Sequence, residues 1–173
     1  KAPEKPRKLV FLLYFDGDMQ ASEVESLREE VSAGLTIADK DDEVVVRLES
    51  PGGLVHAYGL ASSQLERIKA KGIRLTICVD RVAASGGYMM ACIADSIIAA
   101  PFAIIGSIGV LAQLPNFHRF LDKHSIDFEQ HTAGQYKRTL SLLGKNTSQG
   151  RKTLQEEIED THALFKPFIR THR

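Results

Sequence analysis

No stretch of this 173-residue chain comes near the roughly 20 consecutive apolar residues that a membrane-spanning helix requires. No signal peptide is legible at its start. Charge of one sign is lacking as well: 22 Lys plus Arg balance 22 Asp plus Glu. No strong net field therefore draws nucleic acid or anionic lipid to the chain. Cysteine occurs twice, at Cys78 and Cys92, without a C-x-x-C or a Cys/His cluster. That excludes a disulfide framework and a zinc site of the common spacings. Cys78 stands in an apolar run and Cys92 among Ala and Met, so both read as small buried hydrophobes. Several nucleophile and ligand motifs are missing too: G-x-S-x-G, S-x-x-K, H-E-x-x-H and G-x-x-x-x-G-K-[ST]. An α/β-hydrolase, a penicillin-binding type, a zincin and a P-loop enzyme are thereby set aside.

What is present is an ordinary globular composition, 43% hydrophobic and 25% charged, with length for one domain and a buried core. Residues 1–8, with two prolines and four cations, read as a linker, and residues 9–173 as a single domain. Leu9 to Phe15 is an apolar run of strand length closed by Asp16-Gly17-Asp18. Ser22 with Glu25 three places on predicts a capping box, and Val24, Leu27, Val31 and Leu35 predict an amphipathic helix over 22–35. The same unit recurs. Glu43 to Glu49 is a β-branched strand followed by Ser50-Pro51-Gly52-Gly53. Ala57, Leu60, Ala61, Leu65 and Ile68 then give the next helix its buried face, and Gly72 ends it. Leu75–Val79 predicts a third strand, Ser85-Gly86-Gly87 opens a helix running to about Ile93, and Ser96–Ala99 predicts a fourth strand. A helix near Asn116–Lys123, a strand near Ile126–His131 and a long helix from Ser148 to Phe168 complete the pattern. Alternating strands and helices imply an α/β class with βαβ units around a mostly parallel sheet.

In such folds sites form at the carboxyl ends of strands. Two turns are rich in glycine there, Ser50-Pro51-Gly52-Gly53 and Ala84-Ser85-Gly86-Gly87-Tyr88. Glycine lets backbone approach a ligand and aim bare N–H groups at it. One N–H from each turn makes an oxyanion hole, and a serine just before one of them supplies a nucleophile. Taken singly, Ser85 reads first as a helix N-cap and each Gly-Gly pair as a tight turn. Their occurrence at two neighbouring strand ends is what favours chemistry.

Four segments then carry a family resemblance: Ser-Pro-Gly-Gly at 50–53, Val-Ala-Ala-Ser-Gly-Gly-Tyr-Met-Met-Ala at 82–91, Gly-Ser-Ile-Gly-Val at 106–110 and Gly-Gln-Tyr-Lys-Arg at 134–138. In this order they resemble the signal peptide peptidase A family of serine peptidases, and the likeness covers nearly all of residues 9–170. The resemblance implies a Clp protease/crotonase-like fold of repeated ββα and βαβ units. It implies Ser85 as nucleophile, Lys137 as general base, Ser107 as the hydroxyl that orients the lysine amine, and Gly53 and Gly86 as oxyanion donors. It implies no cofactor and no metal. Expected substrates are remnant signal peptides or other membrane-associated polypeptides, cleaved through an acyl-enzyme. A homo-oligomer and the bacterial inner membrane are expected, with the anchor upstream of Lys1 and the catalytic part in the periplasm. The cations of residues 1–8 would suit a cytoplasmic flank instead. Both ends read as cut, so the expected peptidase domain is truncated at its C-terminal end, where family members continue with a further Gly-rich segment.

The chemistry agrees with those roles. A serine hydroxyl needs a base beside it. A lysine serves only if its pKa falls from about 10.4 toward neutrality, which burial achieves. Lys137 lies between Tyr136 and the apolar Leu140, Leu142 and Leu143, yet composition and periodicity do not single it out over Lys123 or Lys145. A Ser/His/Asp triad is the nearest chemical rival. Of His56, His118, His124, His131, His162 and His172, His118 is the first after Ser85, and His56 reads as pocket wall. The same residues are also compatible with a crotonase-type acyl-CoA enzyme, or with a catalytically silent membrane scaffold of the same fold.

Overall fold

Apolar residues at alternate positions of Val10–Asp16 (β1), Glu43–Glu49 (β2), Arg74–Val79 (β3) and Ser96–Ala99 (β5) build one face of a four-stranded sheet. The computed structural model describes residues 7–133 and 140–173. The strands run in the order β1-β2-β3-β5 and every pair is parallel, in the register Leu13↔Val46, Val46↔Ile77 and Ile77↔Ile97. Parallel neighbours cannot be joined by a tight hairpin, so each connection carries a helix. These are α1 (Val24–Ile37), α2 (Val55–Ala70) and α3 (Gly86–Ala91). The α/β class and parallel sheet expected from the pattern are what the structure contains.

The core lies between one sheet face and these helices. Phe15, Val46, Leu48, Leu75 and Ile77 meet Leu27, Val31, Leu65, Ile68 and Met90, all essentially fully buried. Each such side chain contributes about 1.5–3 kcal/mol through burial. A second, two-stranded parallel sheet pairs Val82–Ala84 (β4) with Ile104–Gly106 (β6). Neither strand is legible in the sequence, because three residues are too few for a period-2 pattern.

Contacts group into two compact units. The first runs to Ile108 and includes Phe165–Arg173, whose Phe165 and Ile169 join its core. There Arg173 donates to the Ala94 carbonyl at 2.9 Å and His172 Nε2 stands 3.1 Å from Glu66. The second unit, Gly109–Leu164, holds α4 (His118–Lys123) and the start of α5 (Ser148–His172). Its 141–147 loop is pinned by Asn116, which donates to the carbonyls of Ser141 and Gly144 at 2.8 and 2.9 Å.

Three local expectations are corrected. The Ser22–Glu25 capping box does not form: α1 starts at Val24 without a side-chain cap. Ser22 Oγ donates instead to Asp18 at 2.7 Å, because a turn at Ala21 (φ 50°) swings it toward that carboxylate. Leu60 is 39% exposed, and Tyr58 takes the inner position of α2 together with Ala61, Leu65 and Ile68. No strand forms over 126–131, where Ile126 and Phe128 are 52% and 39% exposed. Among the described residues no neighbouring strand offers that segment the backbone partners a strand requires.

The reading of the cysteines as packing residues suits Cys92, which is fully buried and whose thiol donates to the Met89 carbonyl at 3.2 Å. Burial pushes its pKa up to about 11. Iodoacetamide at pH 8 is therefore expected to spare Cys92 in the native protein and alkylate it after denaturation, as read by peptide mapping.

Candidate active site

Strand β2 does not stop pairing at Glu49. Ser50 continues it by bridging to Ala83 of β4: Ser50 N–H donates to Val82 O at 2.9 Å, and Ala84 N–H to Ser50 O at 3.0 Å. Glu49 reinforces this alignment, since its carboxylate accepts the Arg81 amide at 3.1 Å and the Arg81 guanidinium at 3.0 Å. Strand β4 in turn pairs with β6, and the Ser85 amide donates to the Gly106 carbonyl at 2.8 Å. The carboxyl ends of β2, β4 and β6 thus lie side by side, and the three short motifs that leave them are neighbours in space.

Ser85 forms the strand-to-helix turn between β4 and α3 at φ 53°, ψ −118°, a conformation unusual for a residue with a Cβ. Its carbonyl accepts the Met89 amide at 2.9 Å and so closes the first turn of α3. Its side chain makes no capping hydrogen bond, although the residue occupies the N-cap position. The residue is half-buried and its hydroxyl is not engaged in capping the helix, which separates Ser85 from an ordinary N-cap serine.

Glycine is needed opposite it. Gly52 has φ 89°, and a Cβ there would lie 2.7 Å from the Ala84 carbonyl, the Gly86 amide nitrogen and Ser85 Cβ. The turn after β2 and the turn after β4 touch only because that side chain is missing. Gly53 is hemmed in by the backbone of Met19, whose carbonyl accepts the Leu54 amide at 2.8 Å. Among the described residues neither the Gly53 nor the Gly86 N–H has a hydrogen-bond acceptor. An acyl-transfer site uses a nucleophile, and N–H groups that stabilise negative charge on a carbonyl oxygen.

Ser107 follows Gly106 (φ 112°) at φ 55° and is exposed. The pairing of β4 with β6 puts it one residue beyond the carbonyl that holds the Ser85 amide. Lys137 lies outside the described residues. Of the apolar neighbours expected around it, Leu142 and Leu143 are 46% and 37% exposed. His56 is exposed on the first turn of α2.

Two groups went unrecognised in the sequence. Tyr58 is fully buried under the turns, its hydroxyl 2.6 Å from Ser50 Oγ and donating to the Asp18 carbonyl at 2.7 Å. Burial raises its pKa, so the phenol stays a hydrogen-bond donor through the neutral range. Asp18 itself is held below its usual carboxylate range, chiefly by the Ser22 hydroxyl and also by the amides of Ser22 and Gln20. A buried polar ring on the inner stripe of α2, eight residues after Ser50, is the signal that could have marked Tyr58.

The site thus brings together a serine on a strained strand-to-helix turn and two glycine turns whose Gly53 and Gly86 amides have no acceptor among the described residues. Comparison with known proteins shows a peptidase family. Residues 67–173 match the model for "Peptidase family S49", and residues 1–65 match "Peptidase family S49 N-terminal". The chain belongs to peptidase family S49. It is 58% identical over 170 residues to "Probable protease SohB" of Haemophilus influenzae, covering 98% of this chain and 48% of that protein. It is 60% identical over 167 residues to "Probable protease SohB" of Buchnera aphidicola from Acyrthosiphon pisum, covering 96% and 50%. The chain spans about half the length of these relatives. Among solved structures, a ClpP1 mutant from Listeria monocytogenes is similar at a TM-score of 0.37 and 20% identity, over 47% of this chain and 46% of that one.

Proposed function

We propose that this chain carries the catalytic centre of a serine endopeptidase working through a Ser85/Lys137 dyad. The observation that carries the reading is Ser85 itself: a strained turn serine, free of capping duty, next to two glycine amides that have no acceptor among the described residues. The relatives' description as proteases supports the same class.

In this mechanism Lys137, neutral before attack, takes the Ser85 hydroxyl proton as Oγ bonds to the substrate carbonyl carbon. The Gly53 and Gly86 N–H groups donate to the oxyanion. When the tetrahedral adduct collapses, the C–N bond breaks and the Lys137 ammonium gives its proton to the leaving amine. Water, deprotonated by the same lysine, then cleaves the acyl ester and restores Ser85. Ser107 holds the amine in line.

The substrates that fit this reading are remnant signal peptides or other membrane-associated polypeptides, and the setting is a homo-oligomer at the bacterial inner membrane with the catalytic part in the periplasm. No helix among the described residues is long and apolar enough to cross a membrane. Intact-mass analysis after fluorophosphonate treatment, followed by peptide mapping, tests the dyad. One adduct on Ser85 that disappears in Lys137→Ala is expected; an adduct elsewhere, or none in a protein that hydrolyses peptides, would overturn it.

A further inference from the structure

We propose that Tyr58 is a positioning residue, tying the two turns that present the nucleophile and the oxyanion donors to each other and to the loop after β1. The proposal rests on the peptidase reading above and assigns it a residue outside the catalytic motifs.

The protons order themselves. A tyrosine hydroxyl has one hydrogen, and here it goes to the Asp18 carbonyl at 2.7 Å. The 2.6 Å contact between Tyr58 and Ser50 must then be donated by Ser50 Oγ–H. That leaves the Ser50 oxygen to accept the Gly52 amide, at 3.0 Å. A directed chain results, from Gly52 N–H to Ser50, from Ser50 to Tyr58, and from Tyr58 to the Asp18 backbone. It joins the loop after β1 to the turn after β2.

The ring adds the third loop. Tyr58 Cδ2 and Cβ lie 2.7 and 2.8 Å from where a Cβ on Gly86 would stand, so the ring lies flush against the Gly86 backbone. Phe15, with ring centroids 6.3 Å apart at 74°, backs Tyr58 from the core. One side chain therefore touches the residue after the nucleophile and, through Ser50, braces the turn that carries Gly53. A donor displaced by a fraction of an ångström loses much of its effect on a developing oxyanion while still admitting substrate. Tyr58 should thus act on kcat and not on ground-state binding.

The test uses the full-length protein with Tyr58→Phe, Ser50→Ala, the double variant and Ser85→Ala, assayed on a chromogenic peptide ester. Melting temperature and the affinity of a peptide boronate, which forms a tetrahedral adduct, are measured alongside. Tyr58→Phe is expected to lower kcat by about 10- to 100-fold with KM within about threefold, and to weaken the boronate by the same factor as kcat/KM. The double variant should be no worse than the poorer single one, since both cut the same chain. A folded Tyr58→Phe with unchanged kcat, or one whose loss is all in KM, overturns the proposal. If Tyr58→Phe does not fold, Ser50→Ala decides: parallel loss of kcat and boronate affinity supports it, and wild-type kcat overturns it. Activity persisting in Ser85→Ala would overturn the peptidase reading itself, and this proposal with it; loss there with normal kcat in Tyr58→Phe overturns this one alone.

Discussion

Ser85→Ala is expected to reduce peptidase kcat/KM by about 10³- to 10⁶-fold, with Lys137→Ala falling in the same range, because in the proposed dyad nucleophile and base act as a unit. The structure says why Ser85→Ala should stay folded. The Ser85 side chain makes no capping bond, and the contacts that hold the turn come from its backbone, to Gly106 O and from Met89 N. Removing the hydroxyl leaves those in place, and alanine meets the same backbone strain as serine. The stability change should stay within about 1 kcal/mol. Kinetics on a fluorogenic peptide beside a urea melt would separate the two effects. A large loss of stability would mean that the hydroxyl has a structural partner; wild-type turnover in a folded variant would remove Ser85 from the chemistry.

Gly52→Ala is expected to damage both fold and activity. At φ 89° a residue with a Cβ costs about 1–3 kcal/mol in backbone strain. The new methyl also meets the Ala84 carbonyl, the Gly86 nitrogen and Ser85 Cβ at 2.7 Å, atoms set by paired strands rather than by a flexible side chain. The two turns must separate, so destabilisation on the order of 3 kcal/mol or more is expected, with loss of activity because Ser85 and Gly86 are what moves. Gly34→Ala and Gly59→Ala make the comparison: both sites lie inside helices with nothing within 4 Å of the added carbon. Each of these variants should be stabilised by about 0.5–1 kcal/mol. Equal effects at Gly52 and Gly34 in urea unfolding would show that the turns do not touch.

The legible parts of this protein are those that local chemistry encodes. The β-branched run Val44, Val45 and Val46 makes β2 legible as a strand, and Val44, Val46 and Leu48 are its buried apolar residues. Leu27 and Val31, or Ala61, Leu65 and Ile68, recur at helical spacing and bury as that spacing requires. Gly72, at φ 78° just past α2, ends the helix as expected. Where the local pattern misleads, what decides is the partner the folded chain offers. Ser22 has the spacing of a capping box, but the Asp18 carboxylate is nearer to its hydroxyl once the chain turns at Ala21. Ile126–His131 has strand composition but no strand beside it among the described residues.

By itself the sequence determined the α/β class, the parallel order of strand and helix, and the two glycine turns with Ser85 beside one of them. Each of these depends on residues within a few positions of one another. Only the tertiary structure decided that the turns meet. Two three-residue strands, β4 and β6, too short to leave a periodic trace, align the ends of β2, β4 and β6 through backbone bonds between residues more than 20 positions apart. It also decided what stands beneath them. Whether the Tyr58 hydroxyl braces a site or merely fills a core depends on which carbonyl and which serine lie within about 3 Å, and no spacing along α2 encodes that.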